Sequence, residues 1–334
     1  MMHQDFDERK ALDPLPVSLI VPVLNEQETI GRLLRSIAAQ TRTPHEVIVV
    51  DGGSTDATVQ LVRSAAAEHE RVRLIEAGRA TPGRGRNLGI AAALNDWIAL
   101  TDGGIELDPR WLERLWRVAS SDARPDVVYG AFQPRQETWF ERIATLAYVQ
   151  PLAQTQAGPA RTGSIASSLL QRRAWKRAGQ FPDLRAAEDR IFMRRLAETG
   201  ARIAYAPEAR VSWNVAPTAG QTFARFRSYS KHNVLAGEEQ NWHYGVARQW
   251  AAGAAVVSLS ALFRRPKLAR LALIGAAART VKTVACRREG RSWWWVFQPL
   301  RLVGVAGVLG LLDLATFVGW IEAVLEQRSK TGAR

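Results

Sequence analysis

The chain has 334 residues, 47% of them hydrophobic, and a formal net charge of +13. That length allows one large domain with an appendage, or two domains, and the composition excludes a wholly disordered chain. A single cysteine, Cys286, excludes an internal disulfide and a cysteine-built zinc cluster.

Residues 1–15 are polar and acidic; they read as a disordered tail without a secretory signal. Val17 to Val23 is an apolar run rich in β-branched residues and predicts a buried strand. Ile30, Leu33, Leu34 and Ile37 follow at helical spacing. Glu46 to Val50 predicts a second strand, Val59 and Val62 mark a second helix, and Val72 to Ile75 predicts a third strand. Gly83 to Leu94 predicts a third helix and Trp97 to Leu100 a fourth strand. Short buried strands alternating with amphipathic helices make an α/β chain with a parallel, doubly wound sheet. Ligands of such sheets bind in the loops at the carboxyl ends of the strands.

Those loops are polar. Asn25-Glu26 follows the first strand and Asp51-Gly52-Gly53-Ser54-Thr55-Asp56 the second. Arg79 to Asn87, rich in Arg and Gly, follows the third, and Asp102-Gly103-Gly104 the fourth. Ser54 or Asp56 also suits a helix cap. A rim carrying both acids and Arg fits a ligand with phosphates and hydroxyls. The glycines at 83, 85 and 89 stand after the wrong strand and at the wrong spacing for a dinucleotide fingerprint, and no Walker pattern is present.

In order and spacing, Val21-Pro22-Val23-Leu24-Asn25-Glu26, Val49 to Asp56, Arg84-Gly85-Arg86-Asn87-Leu88-Gly89 and Thr101-Asp102 resemble the successive signatures of family 2 glycosyltransferases, over about residues 16–235. The resemblance implies a GT-A fold, a doubly wound mixed sheet flanked by helices, and transfer from a nucleotide-diphosphate sugar with inversion. It places Pro22 and Glu26 in the nucleoside pocket, Asp51 as acceptor of a hydrogen bond from the base, and Ser54 on the same donor side. Arg84 and Asn87 fall near the donor phosphates, with Arg79 a weaker candidate; the planar fork of Arg suits phosphate oxygens. Asp102 matches the first acid of the DxD motif, which holds Mg²⁺ or Mn²⁺ on the diphosphate. The second acid is replaced by Gly104. Mg²⁺ is often held by one or two carboxylates plus phosphates, so a divalent metal on Asp102 is expected. A metal-independent enzyme relying on Arg is the alternative.

Glu188-Asp189 opens a helix with Ile191 and Leu196 on its buried side. Paired acids in a first turn also answer the helix dipole. By the resemblance they match the ED motif, with Asp189 as general base and Glu188 as its neighbour or substitute. Trp213 is a candidate to stack on the acceptor, or a core residue. The Q-x-x-R-W motif of processive relatives is missing, which argues against a polymer synthase.

Beyond residue 220 the charge changes character. Residues 1–220 hold 28 Lys and Arg against 26 acids, whereas residues 221–334 hold 17 against 6. The basic excess lies beside apolar runs, Trp250 to Phe263 and Leu302 to Ile321, and beside Trp293-Trp294-Trp295. Such a mixture favours a membrane interface, the alternative being a soluble helical subdomain with Trp in its core. The expected layout is therefore a catalytic domain over 16–235 and a basic, apolar, helical membrane-associated region over 236–334. The expected location is the cytoplasmic side of an anionic membrane, peripheral or with one to two C-terminal spans, with a lipid-linked or glycan acceptor. A nucleic-acid-binding protein explains the charge but not the Trp-rich apolar runs, and no nucleic acid is expected as partner. A nucleotidyltransferase and an inactive donor-binding scaffold are the other readings. The first lacks its basic Gly-rich loop after strand one; the second is disfavoured by Asp51, Asp102 and Asp189 standing together.

Overall fold

The computed structural model describes residues 13–155, 158–161, 163–240 and 242–332. Residues 1–12 of the expected tail lie outside them. Two compact units emerge, Met1–Gln133 with Ala153–Trp213, and Pro134–Leu152 with Asn214–Arg334.

The first unit follows the expected alternation. β1 (Leu15–Val23), α1 (Ile30–Ala38), β2 (Pro44–Asp51), α2 (Thr58–Glu68), β3 (Val72–Glu76), α3 (Pro82–Ala92) and β4 (Trp97–Leu100) come first. β5 (Ile105–Leu107), α4 (Trp111–Ala119) and β6 (Val127–Arg135) follow. After α5 (Trp139–Tyr148), which belongs to the second unit, come the hairpin β7 (Ala153–Thr155) and β8 (Gly158–Ala160), then β9 (Ser168–Gln171), α6 (Arg172–Arg177), α7 (Glu188–Glu198) and β10 (Ile203–Asn214). The sheet order is β3-β2-β1-β4-β9-β6-β10-β5. β3, β2, β1 and β4 pair in parallel, β9 runs antiparallel to β4 and β6, and β10 runs antiparallel to β5. The sheet is thus mixed, and the purely parallel reading holds for its first half.

Side chains of a strand alternate between faces, and both faces of this sheet are covered. Val17, Leu19 and Val21 of β1 join Leu33 of α1, Val62 of α2 and Leu112 of α4 in one core. Ile20 joins Ile48, Val50, Ile90 of α3 and Phe192 of α7 in the other. α3 lies so close to β1 and β2 that a methyl on Gly89 would run into Ile20. Glu46, buried at β2, accepts from Ser18 (2.7 Å), the Leu94 N–H (2.6 Å) and Arg73 (2.6 Å). Burial raises its pKa, but those donors outweigh it and hold the carboxyl below its ordinary value.

The second unit is helical: α5, α8 (Ala219–Leu235), α9 (His243–Leu262), α10 (Ala269–Ala285), α11 (Trp293–Val296) and α12 (Pro299–Gly332). Its core joins Ile143 and Leu146 of α5 to Val284, Val296, Val305 and Leu309. α12 contains the one helical stretch, among the described residues, long and apolar enough to cross a membrane, Pro299–Ser329. α8 packs along it, with ion pairs Arg227–Glu322 (2.9 Å) and Lys231–Glu326 (2.8 Å).

Candidate active site

The loops after β1 and β2 are sewn into one surface. Asn25 adopts a left-handed backbone (φ 55°), which Asn tolerates better than most residues. Its N–H donates to Ser54 Oγ (2.8 Å) and its side-chain oxygen accepts the Thr55 N–H (2.8 Å). The Glu26 N–H donates to Thr58 Oγ1 (2.7 Å) and the Gln27 N–H to Asp56 (3.2 Å). Asp56 also accepts the Thr58 N–H (3.0 Å) in the first turn of α2. Ser54 and Asp56 therefore act as struts that fix the rim.

Asp51 ends β2, 3% exposed, and accepts the N–H groups of Gly53 (2.9 Å) and Ser54 (3.1 Å). Pro22, opposite Val50 in the β1–β2 register, lies beneath Gly85 of α3. The Glu26 side chain packs over Gly103, and its Oε2 comes within 3.6 Å of where a side chain on Gly104 would begin. The position of the missing second acid thus faces a carboxylate from another loop.

α3 begins at Thr81, whose Oγ1 accepts the Arg84 N–H (3.2 Å), with Pro82 in the first turn. The Arg84 side chain is exposed at this end. The Asn87 amide is turned to structural use. It donates to the Phe181 carbonyl (2.8 Å) and accepts the Trp175 indole N–H and the Phe181 N–H (3.0 Å each). That ties α3 to the chain leading into α7.

The residue that joins the site is one the sequence reading did not single out. Arg86, 4% exposed, reaches Asp102 with one terminal nitrogen (2.7 Å) and Glu188 with the other (2.7 Å). Burial alone would lower its pKa; Asp102, Glu188 and more distant Asp189 hold it above the ordinary value, so it stays charged. Its signal was helical phase. Gly83, Arg86 and Ile90 share the buried face of α3, so an Arg among them points inward.

Glu188 is 6% exposed and Asp189 half-buried. Burial raises Glu188 above the usual carboxylate range; Arg86 pulls the other way and the like charge of Asp189 adds to the rise. Asp189 accepts the Arg190 N–H (2.7 Å). Its charge is also felt by Tyr129, whose pKa is raised by burial first, then by Tyr205 and Asp189. Ahead of the pair, Ala187 holds a left-handed backbone (φ 67°) at the start of α7, an uncommon state for a residue with a Cβ. Gly83 faces the Pro182 carbonyl so closely that no side chain fits there. Trp213 on β10, opposite Ile105 of β5, packs against the core on the α1–α4 face, and its indole N–H is buried without a hydrogen-bond partner among the described residues. It does not belong to the Arg86 cluster.

Asp102 keeps 41% of its side chain exposed. Among the described residues no group of three His, Cys, Asp or Glu is placed to hold a metal. Asp102 with Glu26 beside it suits a cation held by one or two carboxylates and completed by phosphate oxygens.

Residues 18–181 match the family profile described as Glycosyl transferase family 2. This segment is a family 2 glycosyltransferase domain. The chain is 43% identical over 107 residues to the succinoglycan biosynthesis protein ExoO of Rhizobium meliloti, covering 31% of this chain and 30% of that protein. It is 34% identical over 137 residues to an undecaprenyl-phosphate 4-deoxy-4-formamido-L-arabinose transferase of Edwardsiella ictaluri, covering 39% and 41%. The chain thus matches less than half the length of either relative. Among solved structures it resembles the mannosyltransferase PcManGT of Pyrobaculum calidifontis, in complex with GDP-Man and Mn²⁺. The TM-score is 0.53 at 18% identity, over 92% of this chain and 89% of that one. That likeness shows the GT-A fold.

Proposed function

We propose that the protein transfers a sugar from a nucleotide-diphosphate sugar to a hydroxyl of a lipid-linked or glycan acceptor, with inversion, at the cytoplasmic face of a membrane. The observation that carries this reading is Arg86. It holds the exposed acid after β4 and the acid pair at the start of α7 in one cluster. Donor recognition falls to Pro22, Glu26 and Asp51 for the nucleoside, on the rim braced by Ser54, and to Arg84 for the diphosphate. Asn87 supports the loop rather than touching the donor. Trp213 is kept as an acceptor-side residue because its ring, although packed on the core, stays partly exposed.

In the reaction the acceptor oxygen bonds to the anomeric carbon as the bond from that carbon to the diphosphate oxygen breaks. The hydroxyl proton passes to the Asp189 carboxylate, and the nucleoside diphosphate leaves with the bonding pair. Glu188, locked by Arg86, fixes the helix turn that presents Asp189. Asp102, with Glu26 beside Gly104, would hold Mg²⁺ or Mn²⁺. That ion would supply positive charge to the departing diphosphate. The lipid side of the acceptor assignment leans on the relative named as an undecaprenyl-phosphate sugar transferase.

The test is a thermal-shift screen of the full chain with UDP, GDP, dTDP, CMP and ATP, with and without Mg²⁺ or Mn²⁺. A ligand of the folded state raises Tm by mass action. A selective rise with one nucleoside diphosphate supports the reading and names the donor base. No rise with any of them removes it.

A further inference from the structure

α12 looks like a membrane span by length and composition, but its midpoint is bonded sideways. Asp313, 2% exposed, takes both terminal nitrogens of Arg279 on α10 (2.5 and 2.8 Å) and the indole N–H of Trp250 on α9 (2.9 Å). One turn later the Thr316 carbonyl accepts Ser230 Oγ of α8 (2.7 Å), and the Thr316 hydroxyl accepts the Trp242 indole N–H (3.2 Å). Gly319 then lets the α8 backbone come so close that a methyl would run into the Arg227 carbonyl. α12 is therefore the spine of a helical unit. Its partners are unfit to accompany it across a bilayer. α10 carries Arg270, Arg279 and Lys282, and the uncharged stretch of α9 runs only from Gln249 to Leu262. A span needs about 20 apolar residues.

The outer side of the same helices is apolar and basic. Phe263, Leu273, Trp293, Trp294, Leu300 and Val303 are all exposed, Trp294 by 87%. Residues 243–312 hold 11 Arg and Lys against one acid, Glu289. Arg288 stacks over Trp293 (4.6 Å) and Arg291 over Trp295 (4.7 Å). Exposed Trp and Leu beside Arg match the boundary between acyl chains and anionic headgroups. Nucleic acid offers phosphates but nothing to cover Leu273, Leu300 and Val303.

We propose that α9, α10 and α11 lie in the plane of one leaflet of an anionic membrane and that α12 does not cross it. Trp293, Trp294 and Phe263 sit at the acyl boundary. Arg264, Arg265, Lys267, Arg288 and Arg291 meet lipid phosphates. The proposal rests on the membrane location given above and specifies its mode.

Two measurements separate the two ideas. The full-length protein is sedimented with phosphatidylcholine vesicles, with and without phosphatidylglycerol, over a salt series, and membranes from expressing cells are washed with alkaline carbonate. In-plane docking predicts binding to the anionic vesicles, weakened by salt, and release by carbonate. Arg264→Glu with Arg265→Glu lowers the vesicle affinity by about tenfold or more. Trp293→Ser with Trp294→Ser lowers it too, while the nucleotide thermal shift of both variants stays as in wild type. In wild type, bromine placed near the headgroup quenches tryptophan fluorescence more than bromine at the chain ends. Resistance to carbonate, or stronger quenching at the chain ends, overturns the in-plane mode and leaves the membrane location standing. Binding to no vesicle at all, including tight binding to DNA alone, overturns both.

Discussion

Each unit contains an acid–arginine pair with one partner buried, and the pairs differ in which partner is left uncovered. In the first unit Arg86 is closed off and Asp102 keeps 41% of its side chain open. In the second, Asp313 is the closed partner at 3%, and Arg279 retains 31%. An acid with an open face beside a fixed cation is disposed to receive a ligand. An acid with both oxygens engaged is a structural tie. The apolar surface divides the other way. Among the described residues the first unit exposes few large apolar side chains, Leu61, Leu94 and Tyr205, whereas the second exposes whole faces of α9, α10 and α12. The proposed chemistry falls to the unit with closed cores, and the proposed contact with an apolar phase to the unit with open ones.

The sharpest break of that comparison is at the acid assigned to catalysis. Asp189→Asn is expected to lower transfer by about a hundredfold or more while nucleotide binding persists, because only the proton acceptor is removed. Sugar-transfer rates measured beside thermal shifts decide it. Survival of transfer would shift the base away from Asp189.

The two ties come next. Arg86→Met leaves the buried Glu188 without its cation, and should cost about 3–5 kcal/mol in chemical denaturation. Arg86→Lys cannot span both acids as a planar fork does, so it should recover only part of that loss. Asp313→Leu, which strands Arg279 and Trp250, should cost about 3 kcal/mol. Its mark is hydrogen exchange confined to α9, α10 and α12 with the donor shift intact. Equal loss of protection in the first unit would deny that the tie is local.

Acid should act mainly on the first unit. Glu46 and Asp126 both have pKa values held below the ordinary carboxylate range. For each, burial raises the value and hydrogen bonds outweigh it: from Leu94, Ser18 and Arg73 for Glu46, and from Arg202 for Asp126. A depressed folded-state pKa gives stability that is present above the unfolded value, near pH 4, and lost as pH falls through the folded one. Glu188, raised by burial, acts in the opposite sense: it resists losing its proton in the folded state and softens the decline. Glu46→Gln should flatten the fall of Tm with acid, as read by melting curves over that range.

How much was legible in the sequence follows the same division. β1, β2 and β4 were readable because strands buried on both faces are near-continuous apolar runs, and edge strand β3 because a short Val-Arg-Leu-Ile run stands between two helical segments. The antiparallel half was not readable: β9 is short, and β6 ends in Phe132-Gln133-Pro134-Arg135, without clean alternation. Asp51, Asp102 and Glu188-Asp189 stood out because motif and loop position agreed. Arg86 did not, because an Arg in a Gly-rich run reads as a phosphate ligand until the helix is drawn and its phase seen. Asn87 was noticed for the same loop, but its amide bonds to Phe181 and Trp175 are long-range and leave no local trace. In the tail, composition announced an apolar, basic region, yet the Arg279–Asp313 tie spans residues too far apart for any periodicity to pair them.

The smallest expected effect is the most informative about how the site is held. Ala187 is left-handed just before the acid pair, a state that costs a non-glycine residue about 1–2 kcal/mol. Such strain persists only where the surroundings enforce it. Here Arg86 grips Glu188 one residue on, and the Pro182 carbonyl crowds Gly83 beneath. Glycine adopts the same backbone without the penalty, but it also frees the unfolded chain, which takes back part of the gain. Ala187→Gly should therefore raise the unfolding free energy by roughly 0.5–1 kcal/mol. If the left-handed turn serves to aim Asp189, transfer falls several-fold in the same variant while stability rises. If stability and transfer rise together, Arg86 alone sets the direction of the acid pair and the turn only follows it.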